Sequence, residues 1–502
     1  MPGGREKQLL STSITPVWTD ALQFLSYNHC LNRRVEIIGK GKSHMNKGSR
    51  LLSRRDFLRV AGVAAASAAL SACGLSPSST ASGDKGAVQL VYQDWRTEWF
   101  PSLAQQMLEI FNKDHPNIRV FYTPDPDNLE EKMLEDMAAG TAPDVLSGCC
   151  EFFSAWANAG YLMDLRPLVE ADLDKETIDD WSPAQYQALF TRDGKQFGLP
   201  KYHGALALYY NKDLFDAAAV EYPASDWTYD DYWSAMTRLT RHNSFGITQW
   251  GSMFDVTWDR IQIHVNSFGG HYVNPDDPAR CEMSAPPAQE AMEWLRRRMW
   301  EDKVMATFLD VQNIETRQAF IQQKVAMVED GSWALKDILD NARFRIGVAP
   351  FPTGPKRHAT LATTDGFGIY AGTKHPEAAW ELLKFLISKD YGRAMARAHF
   401  LQPARASLVP EWVEYIRQEY PERSKDVDIA AFADGQIKGY SVTAETFPNM
   451  VGVSKLAKDA WDQIFTLGKM PVSEMEKVCQ QIEKIQQSVS LSPSLCACDE
   501  QS

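Results

Sequence analysis

The residues of this chain best placed to do chemistry are one thiol and a set of indoles. Cys73 closes the run Leu70-Ser71-Ala72-Cys73-Gly74, which follows the paired arginines of Ser53-Arg54-Arg55-Asp56-Phe57-Leu58-Arg59 and an apolar stretch from Val60 to Leu70. Paired arginines, a short apolar segment and a small-residue site ending in cysteine read as an export signal that ends in a lipid attachment point. The stretch is rich in alanine and well short of the about 20 apolar residues that a membrane span needs. The indoles form the second set. Fifteen tryptophans is a high count, and Trp95, Trp99, Trp250, Trp258 and Trp333 fall in loop contexts rather than at helical spacing. One tryptophan is more often packing than function. Several in loops at the carboxyl ends of strands are another matter, because open α/β sheets bind ligands there.

Catalytic spacings are missing. The chain has no G-x-S-x-G, H-E-x-x-H or G-x-x-x-x-G-K-[ST]. Asp179-Asp180 and Asp230-Asp231 are carboxylate pairs, but chain neighbours rarely face one site, and both pairs read as helix-start or loop charges. Gly366-Phe367-Gly368-Ile369-Tyr370-Ala371 mimics a dinucleotide-binding loop, yet Gly372-Thr373-Lys374 follows where its helix should begin. Asp125-Pro126-Asp127-Asn128 hints at calcium but lacks the glycine of such a loop. No C-x-x-C pair or metal-finger spacing occurs, so neither metal nor cofactor is expected. Export permits disulfides; the pairing among Cys149, Cys150, Cys281, Cys479, Cys496 and Cys498 stays open.

The formal charge is −13, and residues 1–72 carry 11 Lys+Arg against 4 Asp+Glu, so the chain from Cys73 onward stands at −20. Such acidity argues against nucleic acid as a partner and, more weakly, against a strongly anionic small ligand. Ser76 to Lys85 reads as a flexible polar tether. Residues 1–44 read as a misplaced translation start or a disordered extension, with Met45 able to serve as the start of the signal.

The elements that must position these groups alternate. Val88–Tyr92, Asn117–Tyr122 and Pro143–Leu146 read as strands, with amphipathic helices over Leu103–Asn112 and Leu129–Ala139. That alternation predicts an α/β architecture of mostly parallel sheet covered by helices. It pauses at Gly198-Leu199-Pro200. Leu206–Tyr210, Lys324–Val328 and Arg345–Ala349 are further strands, Thr228 is the expected N-cap of a helix, and Pro376–Ile387 and Glu474–Gln487 are helices.

This order of segments resembles the family-1 extracellular solute-binding proteins of bacterial ABC importers, the group that includes maltose-binding protein. The resemblance rests on Met137-Ala138-Ala139-Gly140-Thr141-Ala142-Pro143-Asp144-Val145, on Trp156 to Leu165, and on Gly198-Leu199-Pro200 with Leu208-Tyr209-Tyr210-Asn211-Lys212-Asp213-Leu214-Phe215. Lys324-Val325-Ala326-Met327, Asp330-Gly331-Ser332-Trp333, Val348 to Pro352, Lys374 to Trp380 and Leu401-Gln402-Pro403-Ala404-Arg405 complete it. The leader is similar to a twin-arginine signal joined to a lipoprotein box. The resemblance implies a two-lobed periplasmic-binding-protein-like fold, each lobe a mostly parallel sheet flanked by helices. Chain crossings are expected near Tyr202–Leu208, Gly347–Pro352 and Phe400–Ala406. The domains are then a signal at 45–72, a lipidated Cys73 and tether at 73–87, lobe one at 88–204 plus 350–402, lobe two at 205–349 plus 403–490, and a tail at 491–502.

It further implies a monomer that is not an enzyme, held outside the cytoplasm on the membrane by Cys73 and handing a mono- or oligosaccharide to permease subunits. A sugar offers an apolar C–H face and a rim of hydroxyls, which suit aromatic rings and polar side chains respectively. By position in the family, the ligand residues would be Trp95, Arg96, Glu151, Tyr202, His203, Trp250, Asp255, Trp258, Trp333, Asp365 and Gly366. The sequence departs from the maltose-binding pattern at Gly148-Cys149-Cys150-Glu151, where an aromatic is expected. Two alternatives stand beside this reading: a binder of a polyol or glycerol-phosphate solute, and an exported carbohydrate-active enzyme using paired carboxylates.

Overall fold

A computed structural model describes residues 86–450 and 452–490. The signal, Cys73, the tether and the tail 491–502 lie outside the described residues. The first sheet has the order β2-β1-β3-β11-β4, formed by β1 (Val88–Asp94), β2 (Ile118–Pro124), β3 (Val145–Gly148), β4 (Leu199–Pro200) and β11 (Gly366–Ile369). The second has the order β6-β7-β8-β5-β9, formed by β5 (Leu206–Asn211), β6 (Arg241–Asn243), β7 (Gly246–Met253), β8 (Val325–Gly331) and β9 (Ile346–Ala349). A two-residue ladder joins β10 (Thr360–Leu361) to β12 (Ser441–Val442).

Helices cover both sheets because their apolar residues repeat at helical spacing. The helix Phe100–Asp114 buries Phe100, Leu103, Ala104, Met107, Leu108 and Phe111 as one stripe. Tyr92, Phe367 and Trp380 belong to the core on that side of the first sheet, while Leu146, Phe153 and Trp156 form a second cluster with Phe197. In the second lobe the helix Tyr229–Leu239 starts on the expected cap: Thr228 and Asp231 form a reciprocal capping box.

Two expectations need correction. The two five-stranded sheets are mixed rather than mostly parallel: among the described residues only β1–β2, β1–β3 and β7–β8 pair in parallel within them, whereas β4, β5, β9 and β11 all pair antiparallel to their neighbours. The reason is topological, since β4, β5 and β11 adjoin the places where the chain passes between sheets and so can return in the opposite sense. The second crossing also comes later than Gly347–Pro352. After β9 the chain stays with the second sheet: Thr353 bridges Thr228, β10 pairs with β12, and Phe351, Ala359 and Leu361 lie in the second lobe's core. It passes over only at Ala362–Asp365, so residues 350–361 belong to the second lobe.

Three extended segments make the crossing side by side. Lys201 N donates to Asp365 O (3.1 Å), His203 N to Gln402 O (3.0 Å) and Thr363 N to Gly204 O (2.9 Å). Gln185 Nε2 donates to both Tyr202 O (2.7 Å) and Thr363 O (2.8 Å), which fastens the helix Pro183–Ala188 across the seam.

The second lobe holds a buried polar chain. Tyr229 Oη lies 2.8 Å from His264 Nδ1, His264 Nε2 lies 3.0 Å from Glu329 Oε2, and Tyr232 Oη donates to Glu329 Oε1 (3.0 Å). A disulfide joins Cys281 to Cys479, 198 residues apart, and ties the C-terminal helix Met475–Ser490 to the body of the lobe.

Replacing Glu329 by Leu removes the partner of His264 Nε2 and one of the two partners of Tyr232 Oη, which keeps Ser252 Oγ, and each lost bond should cost about 1–3 kcal/mol. Equilibrium denaturation should therefore show a loss of roughly 2–5 kcal/mol, and a loss under 1 kcal/mol would mean that the network is not a structural support. Reducing the disulfide releases a long loop in the unfolded chain and should lower stability by about 2–5 kcal/mol, read as a fall in the melting temperature.

Candidate functional site

The site is built where the strand ends of both sheets meet the crossing. On the first lobe β1 ends at Asp94, which is fully buried, and Trp95 follows with its ring partly exposed. Asp94 Oδ1 accepts from Trp95 N (2.7 Å), and the carboxylate also receives the Tyr92 hydroxyl and the Lys201 ammonium. Lys201 Nζ donates as well to Ser147 Oγ (3.0 Å) and stands 3.2 Å from the centre of the Trp95 ring. Trp95 and Tyr202 meet edge-to-face at 5.4 Å. Burial raises the Asp365 carboxyl to about 6 and the Asp125 carboxyl to about 7, with Lys201 pulling both back down.

On the second lobe Trp333 sits in the short turn Ser332–Ala334 after β8, its ring packed against all three larger core clusters. Two glycines make room for it. A β-carbon on Gly331 would lie 2.3 Å from Trp333 Cη2, and one on Gly204, at the crossing, 2.9 Å from Trp333 Cζ3. The Arg260 guanidinium lies 5.4 Å from the same ring. Asp330 accepts from Arg317 Nε (2.9 Å) and pairs with Arg260 at 3.8 Å, while Asp255 accepts from Thr316 Oγ1. Burial pushes the Asp255 carboxyl up, opposed by Arg260.

A cavity of about 440 Å³ opens between the lobes, lined by Gln187 and its neighbours on the helix Pro183–Ala188 and by Asn266, His271, Arg357 and Ser441–Glu445 opposite. Glu445 organises the second wall, accepting from Asn266 Nδ2 (2.9 Å), Tyr272 N (2.6 Å) and Val273 N (3.2 Å) and pairing with His271 at 2.9 Å. Beside this cavity, Ser154 of the first lobe donates to Thr446 Oγ1 at 3.4 Å.

Of the residues singled out in the sequence, Trp95, Tyr202 and Asp365 stand at the crossing, Trp333 packs against Gly204 there, and Asp255 lies near Arg260 on the second lobe. Arg96 lies at the rim in an exposed pair with Asp127. Glu151 lies in the first turn of the helix Cys150–Asn158, and its side chain is outside the described residues.

Four placements differ from expectation. Trp250 is on β7 and packs in the core with Tyr209 and Val328 rather than in a loop. Trp258 opens the helix Trp258–Ser267, buried against Tyr272 and Trp461, with its indole N–H donated to Glu445 O (3.0 Å). His203 is fully buried, neither ring nitrogen has a hydrogen-bond partner among the described residues, and desolvation pushes its pKa down to about 4. Gly366 lies inside β11, where a β-carbon would come within 3.1 Å of Phe153, so its role is packing. The same ring explains the departure at Gly148, since any β-carbon there would lie 2.2 Å from Phe153 Cδ2. Lys201, Arg260 and Arg317 were missed. Lys201 stands in Gly-Leu-Pro-Lys and Arg260 two residues beyond Trp258, but nothing local marks either as buried.

Known proteins resemble this chain in sequence and in fold. A putative binding protein of Brucella abortus is 26% identical over 399 residues, covering 77% of this chain and 90% of the relative. The maltodextrin-binding protein MdxE of Bacillus subtilis is 23% identical over 326 residues, covering 63% of this chain and 72% of its own. Among solved structures, an ABC substrate-binding protein from Listeria monocytogenes in complex with cycloalternan superposes with a TM-score of 0.68 at 23% identity, over 80% of this chain and 99% of that one. Residues 93–393 match the sequence family described as bacterial extracellular solute-binding protein. With the two-sheet fold and the triple crossing, that match identifies this chain as a member of the bacterial extracellular solute-binding protein family.

Proposed function

We propose that this protein captures a mono- or oligosaccharide between its lobes outside the cytoplasm and hands it, chemically unchanged, to the permease of an ABC importer. The observation that carries this reading is Trp333, an aromatic ring seated at the seam of the two lobes with charged hydrogen-bonding groups beside it: Arg260, Asp330 and Asp255. Aromatic faces suit the C–H side of a sugar, and carboxylate and guanidinium groups suit its hydroxyls. Trp95, Arg96, Glu151, Tyr202 and Asp365 would complete the site from the first lobe and the crossing. The cavity lined by Gln187, Asn266 and Thr443 is rich in amide and hydroxyl groups of the kind a hydroxyl rim engages. Names of relatives point the same way, one being described as maltodextrin-binding and another as galactooligosaccharide-binding.

The protein acts as a monomer, and hinge bending at the crossing closes the lobes on the ligand. Cys73, the first residue after signal removal, carries the lipid that holds the chain at the membrane. Among the described residues no helix is long and apolar enough to cross a bilayer.

Tryptophan emission titrated with maltotriose and galactooligosaccharides should shift and saturate, and the sugar should be recovered intact. Repeated turnover of any sugar would replace the transport reading by an enzymatic one. In the same titration Trp333→Ala should weaken affinity by roughly 1–3 kcal/mol, and an unchanged affinity would make Trp333 packing alone. Cys73→Ser should release the protein from membranes; retention there would rule out Cys73 as the anchor.

A further inference from the structure

Lys201, in the first lobe, has no exposed side-chain surface, and Asp94, its partner, has none either. A buried ion pair of this kind is weak grounds for stability, because desolvating two charges offsets most of their attraction. Its geometry suggests what it does instead. The ammonium is held by two groups on different strands, Asp94 at the end of β1 and Ser147 on β3 (3.0 Å). Its backbone N–H donates to Asp365 O on the second crossing segment (3.1 Å). Its remaining face lies 3.2 Å from the centre of the Trp95 ring, with the Phe100 ring at 4.9 Å and the Phe367 ring at 5.6 Å.

One cation thus touches the strand that carries Trp95, the central strand of the sheet, the first crossing segment and the indole itself. The Lys201 side chain is wholly buried while Trp95 is partly exposed, so the ammonium meets the indole from inside the lobe. A desolvated ammonium over an indole is an attractive contact with a preferred geometry, so the ring is fixed from within.

We propose that Lys201 is a positioning residue of the ligand site, holding the Trp95 ring in a set orientation relative to the crossing segments. This rests on the reading that Trp95 meets the ligand. Lys201 itself does not touch the ligand, and its effect on binding runs through the indole.

The test is a double-mutant cycle on maltotriose affinity with Lys201→Met, Trp95→Ala and the double variant. Lys201→Met alone should weaken binding about tenfold, in line with a desolvated cation–aromatic contact. In the Trp95→Ala background it should change affinity less than about twofold, whereas a merely structural lysine would give the same loss in both. Equal losses in the two backgrounds overturn the proposal.

A second readout needs no sugar. Acrylamide quenching of the Trp95 emission, taken as the difference from the Trp95→Phe protein, should rise when Lys201 is replaced; unchanged quenching overturns the proposal. If Lys201→Met does not fold, Ser147→Ala, which removes one anchor of the ammonium and keeps the charge, should raise the same quenching by a smaller amount, and no change there counts against it equally. Should the wild-type protein bind no sugar, the transport reading for carbohydrates fails, while the quenching arm still decides whether Lys201 positions Trp95.

Discussion

Three short segments of backbone, 201–204, 362–365 and 400–403, hydrogen-bond to one another across the gap between two sheets, and this seam constrains the rest of the structure. Since the chain passes over three times, neither lobe is a contiguous stretch of sequence, and residues far apart in number meet in the middle. The seam also restricts what can stand on it. Gly204 has no side chain because Trp333 and Thr363 fill the space a β-carbon would take. Gln185 spans two of the three segments with one amide group. A hinge built from paired backbone can bend through small changes at a few residues while the sheets on either side keep their register.

The electrostatics of the site run against the composition of the chain. The protein is strongly acidic, yet three cations stand around the crossing, Lys201 matched to the buried Asp94 and both Arg260 and Arg317 to the buried Asp330. Burial raises the Asp255 and Asp365 carboxyls, and Arg260 and Lys201 respectively oppose it. Paired charges with little access to water have few alternative arrangements, so these groups hold one another in place. Preorganisation of this kind lowers the ordering cost of binding.

Much of the fold was legible residue by residue. The strands β1, β2 and β3, the N-cap at Thr228 and the proline-led helix Pro376–Leu386 follow from local pattern and start within two residues of where the sequence places them. The crossings at Tyr202 and near Phe400 were legible too, through the resemblance. The second crossing was not, because Val348-Ala349-Pro350-Phe351-Pro352 looks like a strand leaving its sheet, and what keeps it in the second lobe is a two-residue ladder to Ser441–Val442, some 80 residues away. Likewise Gly366-Phe367-Gly368 resembled a nucleotide loop, although its glycines serve to admit the Phe153 ring against β11.

For the site, residue type was readable from the chain and exposure was not. Tryptophans at strand ends were visible, but whether an indole faces a cleft or a core depends on which distant segment covers it: Trp461 and Tyr272 cover Trp258, whereas Trp95 keeps an open side. Local spacing and composition determined the α/β class, the acidity and the family pattern, since each is written in neighbouring residues. Only tertiary structure decided which carboxylates are paired, which lysine is buried and where the chain passes between sheets, because burial and ion pairing depend on segments distant in sequence, Asp94 and Lys201 being 107 residues apart.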